Sequence, residues 1–421
     1  MNIARTMALG LARLFVACVG LGAIATSSQQ PNVVLVVLDD VGVDRMGIYA
    51  EHPNPGRTPV LDGLAAQGAW FRNAWAMPLC SPTRASLLTG TYPSRHGVTA
   101  TIKPHVTLGP HLDPDGWMLP DALPDYSNRA IGKWHLSRKG ERLDHPLQCG
   151  FDGHTGSMYN LNLTGYWDWR RTTNGVHSTE PRYATSATVQ DALGALQVLP
   201  EPQFLYVNFN AAHTPFHVPP SHLHTYGQPS SDADRFRAMV QAMDTELGRL
   251  VAEIDLSDTY LFIVGDNGTP KGAVTAPHDP LHAKATLYEG GVRIPFLVLG
   301  PDVVAGEREA LVSITDVFAT VIGLTGGGAV PPDSIDMTEV LRDPTSPGRR
   351  RFLYAEISSA VGGSGGAPLR AIRSPRYKWM ETIQGQELYD LKLDPFELDN
   401  RIQDPGLAQV KERLVAALPV F

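Results

Sequence analysis

The sequence predicts an α/β protein built on a doubly wound, mostly parallel central sheet flanked by helices, with a smaller C-terminal α+β subdomain. Three observations carry this expectation. Four apolar runs have the character of strands covered on both faces. Helix-like segments lie between them, and after about residue 330 the pattern changes to short strand-like pieces separated by turns.

In chain order, the first run is PNVVLVVLDD (31–40), nearly unbroken Val and Leu. A shorter one lies in SNRAIGKWHL (127–136), a third is FLYVNFNAAHTPF (204–216) and a fourth is TYLFIVGDNG (259–268). SATVQDALGALQVL (186–199) and DADRFRAMVQAMDTELGRLVAEI (232–254) read as the intervening helices. VSITDVFATVIGLTG (312–326) reads as a further helix closed by Gly326, and GGGAVPPDS after it as a linker. RFLYAEI, PLRAIRSPRYKWMETI and QELYDL then supply short strands, and GLAQVKERLVAAL (406–418) a last helix. The expected organisation is a main unit over 31–330 and a C-terminal subdomain over 335–421.

The 421 residues carry a formal net charge of -8, which disfavours nucleic acid as a partner while leaving room for a few cations converging in one pocket. Arg5 and Arg13 are the only charges before Asp39, and the apolar stretch 14–25 ends in Ala23-Ile24-Ala25. Residues 1–25 therefore read as a secretory signal peptide, too short in its apolar part for a stable membrane span. Export to the periplasm, the extracellular space or the secretory pathway follows. Cys18 falls within the signal, leaving Cys80 and Cys149, and an oxidising compartment allows a bridge between them.

Each apolar run ends in chemistry: Asp39 and Asp40, then Lys133 and His135, then His213, then Asp266 and Asn267. In an open α/β sheet such ends share one edge, where ligands bind. Either acidic pair alone is what a solvated turn looks like. Together they form an all-oxygen donor set on two strands, which suits Ca²⁺, with Mg²⁺ as the alternative, over zinc. In LCSPTRASLLTG (79–90), Ser81 is placed to cap a helix, Pro82 suits its first turn and Gly90 closes it. Cys80 then sits at a helix N-terminus with Arg84 in the same turn, an anion cradle beside a nucleophile.

At this point Cys80-Ser81-Pro82-Thr83-Arg84 with its trailing ASLLTG resembles the cysteine-type sulfatase signature, C-x-P-x-R. PNVVLVVLDD, GKWHL (132–136), NFNAAHTPF (208–216), GDNG (265–268), KATLYEGGVRIPF (284–296) and LYDLKLDPFELDN (388–400) are similar to that family in order and spacing. The resemblance covers nearly all of residues 31–400 and implies an alkaline phosphatase-like fold. It implies that a formylglycine-generating enzyme oxidises Cys80 to an aldehyde during maturation. The aldehyde hydrate attacks the sulfur of a sulfate monoester, expels the alcohol, and later eliminates inorganic sulfate. By the same resemblance Asp39, Asp40, Asp266 and Asn267 bind Ca²⁺, which also contacts the modified Cys80. Arg84, Lys133 and Lys284 hold the hydrate and sulfate oxygens, His135 is the base of the elimination, and His213 with Lys284 supports the departing oxygen. Cys149 is then expected to be a buried thiol outside the chemistry.

The remaining histidines His217, His222, His224, His278 and His282 read as loop residues, and Asn162-Leu163-Thr164 is a bare sequon. Tyr166, Trp167 and Trp169 in the aromatic stretch 157–183 fit either a stacking surface for a sugar or aryl ring or the packing of a lid. Export favours a sulfated carbohydrate over an aryl sulfate as the substrate. Two other readings stay open on sequence: a phosphonate or phosphodiester hydrolase of related fold, and a non-catalytic protein that binds anionic glycans.

Overall fold

The computed structural model describes residues 30–103, 109–138, 143–161, 165–358 and 368–421. The expected signal peptide, Cys18 and the sequon lie outside the described residues. Among the described residues, ten strands form the main sheet: β1 (Asn32–Leu38), β2 (Ala69–Trp75), β3 (Ser127–Gly132), β4 (Gly153–Gly156), β5 (Trp169–Thr173), β6 (Val176–Glu180), β7 (Gln203–Asn208), β8 (Thr259–Gly265), β9 (Phe296–Leu299) and β10 (Gly306–Ser313). Their spatial order is β10-β2-β9-β8-β1-β7-β3-β4-β5-β6. Pairing is parallel from β8 through β1, β7 and β3 to β4, and again between β2 and β10. It is antiparallel around β9 and in the outer β4-β5-β6 ribbon. The four runs that end in chemistry are thus four adjacent central strands, β8-β1-β7-β3.

The unbroken apolar character of β1 follows from its position. Val33, Leu35 and Val37 pack into one core, with the helices Cys80–Thr89 and Asp316–Leu324. Val34, Val36 and Leu38 pack into the other, with the helices Pro59–Ala65, Ala184–Val198 and Asp232–Val251. Side chains alternate across a strand, so a strand covered on both faces has no solvent-facing set. The Asp232–Val251 helix starts at Ser231, whose hydroxyl accepts the Asp234 N–H at 3.1 Å.

Two local expectations are corrected. Val312 and Ser313 finish β10 rather than open a helix, and the helix runs only over Asp316–Leu324. The apolar run spans both elements because both are buried; Asp316 marks the break by accepting the Ser313 N–H at 2.9 Å. Ser81 is not the cap of the Cys80–Thr89 helix, whose N-cap is Leu79 without a side-chain bond. The Ser81 hydroxyl instead accepts the N–H of Ile102 at 3.1 Å.

At the C-terminal end, β11 (Leu353–Ser358), β12 (Pro368–Arg373), β13 (Tyr377–Thr382) and β14 (Gly385–Asp390) form an antiparallel sheet in sequence order. The helix Ala408–Ala416 covers it through Leu414, against Ile372, Trp379 and Leu388. Its other face contributes Leu353, Ala355, Ala371 and Met380 to the core around β1. A buried ion cluster adds to the seam: Glu289 meets Arg373 at 2.8 Å and Lys378 at 3.3 Å, and Lys378 meets Glu397 at 2.7 Å.

Candidate active site

The crater is assembled where the central strands end. Asp39 and Asp40 follow β1 directly, and the chain is fastened there on both sides. The Asp39 N–H donates to Ala211 O (3.1 Å), Ala212 N–H to Asp39 O (2.7 Å) and Asp266 N–H to Leu38 O (3.1 Å). Asp40 N–H donates to the Asp266 carboxylate at 3.0 Å, which locks the two acidic strand ends together. Gly268 lets this edge meet the next loop: a Cβ there would stand 1.8 Å from Gly290 O. Three non-glycine residues of the crater hold left-handed backbone: Asp40 (φ 65), His135 (φ 61) and Ala285, next to Lys284 (φ 71). Such conformations cost about 1–3 kcal/mol each and gather where surrounding structure serves function.

Cys80 opens a ten-residue helix, and its sulfur faces the acids. Sγ lies 3.5 Å from Asp39 Oδ1, 3.7 Å from Asp40 Oδ1 and 3.4 Å from Lys284 Nζ. Lys133 Nζ donates to Asp39 at 2.5 Å and Lys284 Nζ to Asp40 at 2.5 Å. Arg84 donates to Asp266 through Nε (3.1 Å) and Nη2 (2.9 Å), and to Asn208 Oδ1 through Nη1 (2.8 Å). His213 Nε2 lies 3.9 Å from Asp40 Oδ2. All ten residues expected from sequence therefore lie within one crater or its wall: Asn267 donates to Asp40 at 2.9 Å, and His135 Nε2 is held by Ile102 O at 2.9 Å, two residues beyond Lys133.

The electrostatics follow from burial and from who sits beside whom. Burial raises the Asp39 carboxyl to about 8 against the pull of Lys133. Burial also pushes on Asp40, but Lys284, His213 and Lys133 overcome it and hold Asp40 well below the usual range. For Asp266 the same contest is won by Arg84 and Lys133. Burial, reinforced by Asp266, pushes the Cys80 thiol up, so an unmodified Cys80 is not a thiolate nucleophile at neutral pH. His213 is held down to about 3 by burial, with Asp40 opposing. His135 is held well below its ordinary value by burial and by Lys133 and Arg84.

The donor set fits a hard divalent cation. Ligand atoms of Asp39, Asp40, Asp266 and Cys80 lie within 4.8 Å of one another. Asn267 Oδ1 is buried beside them with no hydrogen-bond partner, because its Nδ2 faces Asp40 and Gly268 O. An orphaned amide oxygen at a carboxylate cluster is what an oxygen-liganded ion requires. Among the described residues, His213 is the histidine that enters a metal-capable group. His217 and His282 pack against aromatic rings, and His278 stacks on His52.

Sequence reasoning missed Asn208 and Asn210. Asn208 ends β7 fully buried and takes the Arg84 guanidinium; a polar residue closing an otherwise apolar strand was its signal. Asn210 accepts the Ser157 hydroxyl at 2.9 Å, and its backbone carbonyl accepts the Tyr166 hydroxyl at 2.5 Å. No disulfide joins Cys80 to Cys149, which is buried with its sulfur 3.5 Å from His145 Nδ1.

The sulfatase family model matches residues 31–327, and the model for the C-terminal region of N-sulphoglucosamine sulphohydrolase matches residues 278–420. N-acetylgalactosamine-6-sulfatase of Canis lupus familiaris is 31% identical over 388 residues, covering 81% of this chain and 71% of that protein. Arylsulfatase G of Rattus norvegicus is 30% identical over 432 residues, covering 88% and 79%. Among solved structures, Ps i-CgsB superposes with a TM-score of 0.79 at 26% identity, over 92% of both chains. The same protein is also solved in complex with k-i-k-neocarrahexaose. Signature, crater and relatives agree, and the chain belongs to the sulfatase family as a sulfuric ester hydrolase.

Proposed function

We propose that this enzyme removes sulfate from a sulfated glycan, using Cys80 after its oxidation to formylglycine and a divalent cation held by Asp39, Asp40, Asp266 and Asn267. The observation that carries the reading is the meeting of the Cys80 sulfur with two strand-end aspartates and Lys284 within 3.7 Å, in a buried crater. The glycan is supported by the names of the relatives, N-acetylgalactosamine-6-sulfatase among them, and by the neocarrahexaose complex of a structural neighbour.

Bound Ca²⁺, or Mg²⁺ in its place, would supply a Lewis acid for the sulfate oxygens, and formylglycine an electrophilic carbon whose hydrate is the nucleophile. The chain's own residues do the rest. Asp39, Asp40 and Asp266 are matched one for one by Arg84, Lys133 and Lys284, and burial already disfavours the charged form of Asp39, so the crater carries no excess of negative charge before any ion enters. A divalent cation then leaves positive charge for an anionic ester, although the whole chain is acidic. Arg84 is fixed from three sides and keeps its guanidinium at the helix start. His135 donates Nε2–H to Ile102 O, leaving Nδ1 buried, unprotonated and without a partner, which is the state of a base awaiting a proton. His213 donates Nδ1–H to Thr214 O at 3.0 Å, so Nε2 faces the crater. Burial keeps His213 neutral in the absence of an anion, and its role as acid draws on the negative charge that a bound sulfate brings.

Cys80, Pro82 and Arg84 are all buried, so a formylglycine-generating enzyme would have to read them before the chain folds. This fits maturation during export, to the periplasm, the extracellular space or the secretory pathway; among the described residues no helix is long and apolar enough to cross a membrane. Residues 31–330 would form the catalytic unit and 335–421 its subdomain. The test is release of inorganic sulfate by the matured enzyme from a sulfated oligosaccharide, against hydrolysis of a phosphate diester. The sulfate ester should be turned over faster, with activity lost to a chelator and restored by Ca²⁺. Preference for the diester, or indifference to the chelator, contradicts the reading.

A further inference from the structure

The aromatic stretch 157–183 is not consumed by the chemistry above, and burial divides its three rings. Tyr166 and Trp169 are each 1% exposed, whereas Trp167 is 40% exposed. Trp169 donates its indole N–H to Arg182 O at 3.0 Å, and the Tyr166 hydroxyl lies 2.5 Å from Asn210 O and 2.7 Å from His213 O. Those two rings hold the fold and the loop that carries His213. Trp167 faces outward on a prepared base. Its ring is 5.0 Å from Tyr183 at 37° and 5.1 Å from His217 at 76°. The base is itself tied down: the Tyr183 hydroxyl meets His217 Nε2 at 3.0 Å, and His217 Nδ1 meets Pro215 O at 2.8 Å.

The position of this ring relates it to the crater. His217 lies four residues after His213, whose imidazole reaches Asp40, and four residues of chain span at most about 14 Å. Trp167 also directly follows Tyr166, whose hydroxyl meets His213 O at 2.7 Å, so its ring borders the loop that carries His213 into the crater. A large apolar face already ordered by its neighbours adds contact area without paying to order itself on binding. A pyranose offers such a face a set of C–H bonds and turns its hydroxyls to solvent.

We propose that Trp167 is a stacking platform for a sugar ring of the substrate outside the sulfated residue, so that the enzyme grips a chain rather than a lone monosaccharide. The proposal rests on the glycan reading above. Its test uses matured full-length enzyme, wild type with Trp167→Ala and Trp167→Phe. The substrates are a tetrasaccharide ending in N-acetylgalactosamine 6-sulfate, the monosaccharide alone, and 4-nitrophenyl sulfate. Trp167→Ala should raise KM for the tetrasaccharide about tenfold with little change in kcat, the pattern of lost uniform binding. Trp167→Phe should recover most of that loss, and both variants should match wild type on the monosaccharide and the aryl ester. An equal loss on all three substrates would assign Trp167 to support of the His213 loop, and no loss on the tetrasaccharide would remove the platform; either overturns the proposal. Wild-type turnover of the aryl ester with none of either saccharide overturns the glycan reading itself, and the platform with it.

Discussion

Two buried ion clusters stand only a few residues apart along the chain, one reached by Lys284 and the other by Glu289, and they are built on opposite plans. In the crater, Asp39, Asp40 and Asp266 converge on each other and on Cys80, with Arg84, Lys133 and Lys284 around them. In the seam, Lys378 stands between Glu289 and Glu397, and Arg373 takes the other Glu289 oxygen. Lys378 also lies 4.9 Å from the Trp75 ring centre. Both clusters balance their charges, so burial and pairing alone do not mark function. What separates them is three carboxylates converging with the Cys80 sulfur beside the unpartnered Asn267 Oδ1, whereas in the seam Glu397 Oε1 faces Lys378 at 2.7 Å. Among the described residues, the groups able to hold a metal both lie in the crater. The seam alternates its charges and serves to hold the C-terminal sheet against the loop that delivers Lys284.

The comparison can be broken in order of expected effect. Cys80→Ala should reduce turnover by about four orders of magnitude or more while leaving the thermal unfolding curve in place, measured by sulfate release and circular dichroism. Lys378→Met should do the reverse. It leaves two carboxylates facing each other in the seam, and stability should fall by about 3–5 kcal/mol in denaturant melts, with kcat kept at temperatures where the enzyme is folded. Loss of activity without loss of stability would show that the seam is part of the site. Asp40→Asn should lower kcat by about 10²–10³-fold and reduce the divalent ion retained by the purified protein, read by elemental analysis.

Asp244 sharpens the contrast, being a buried carboxylate held by backbone rather than by cations. It accepts the N–H groups of Val60 (3.0 Å) and Leu61 (2.8 Å), and burial raises it to about 6 from 3.8. A value raised in the folded state adds stability at pH below the unfolded value and loses it as pH climbs through the folded one. Stability should therefore fall between about pH 4 and 6, and Asp244→Asn should flatten that slope by at most about 3 kcal/mol. An unchanged slope would show that backbone donors alone suffice to keep this carboxylate ionised.

Much of this was legible in the sequence because the informative residues are local to strand ends. β1 and β8 announce themselves by apolar runs, and Asp39, Asp40, Asp266 and Asn267 follow them directly. The burial of two adjoining elements hid the break between β10 and the helix at Asp316, since periodicity fades when every face is covered. Ser81 misled because its hydroxyl serves Ile102, a partner 21 residues away that no local pattern reveals. Asn208, Asn210 and the division of the three rings at 166–169 depend on tertiary neighbours in the same way.

The central claim is that Cys80, buried as a poor thiol among converging carboxylates, is the precursor of the reacting group. Mass spectrometry of the peptide containing Cys80, from protein made in its native host, tests this directly. The account predicts an aldehyde in place of the thiol; an intact thiol in active enzyme, or a disulfide to Cys149, would contradict it.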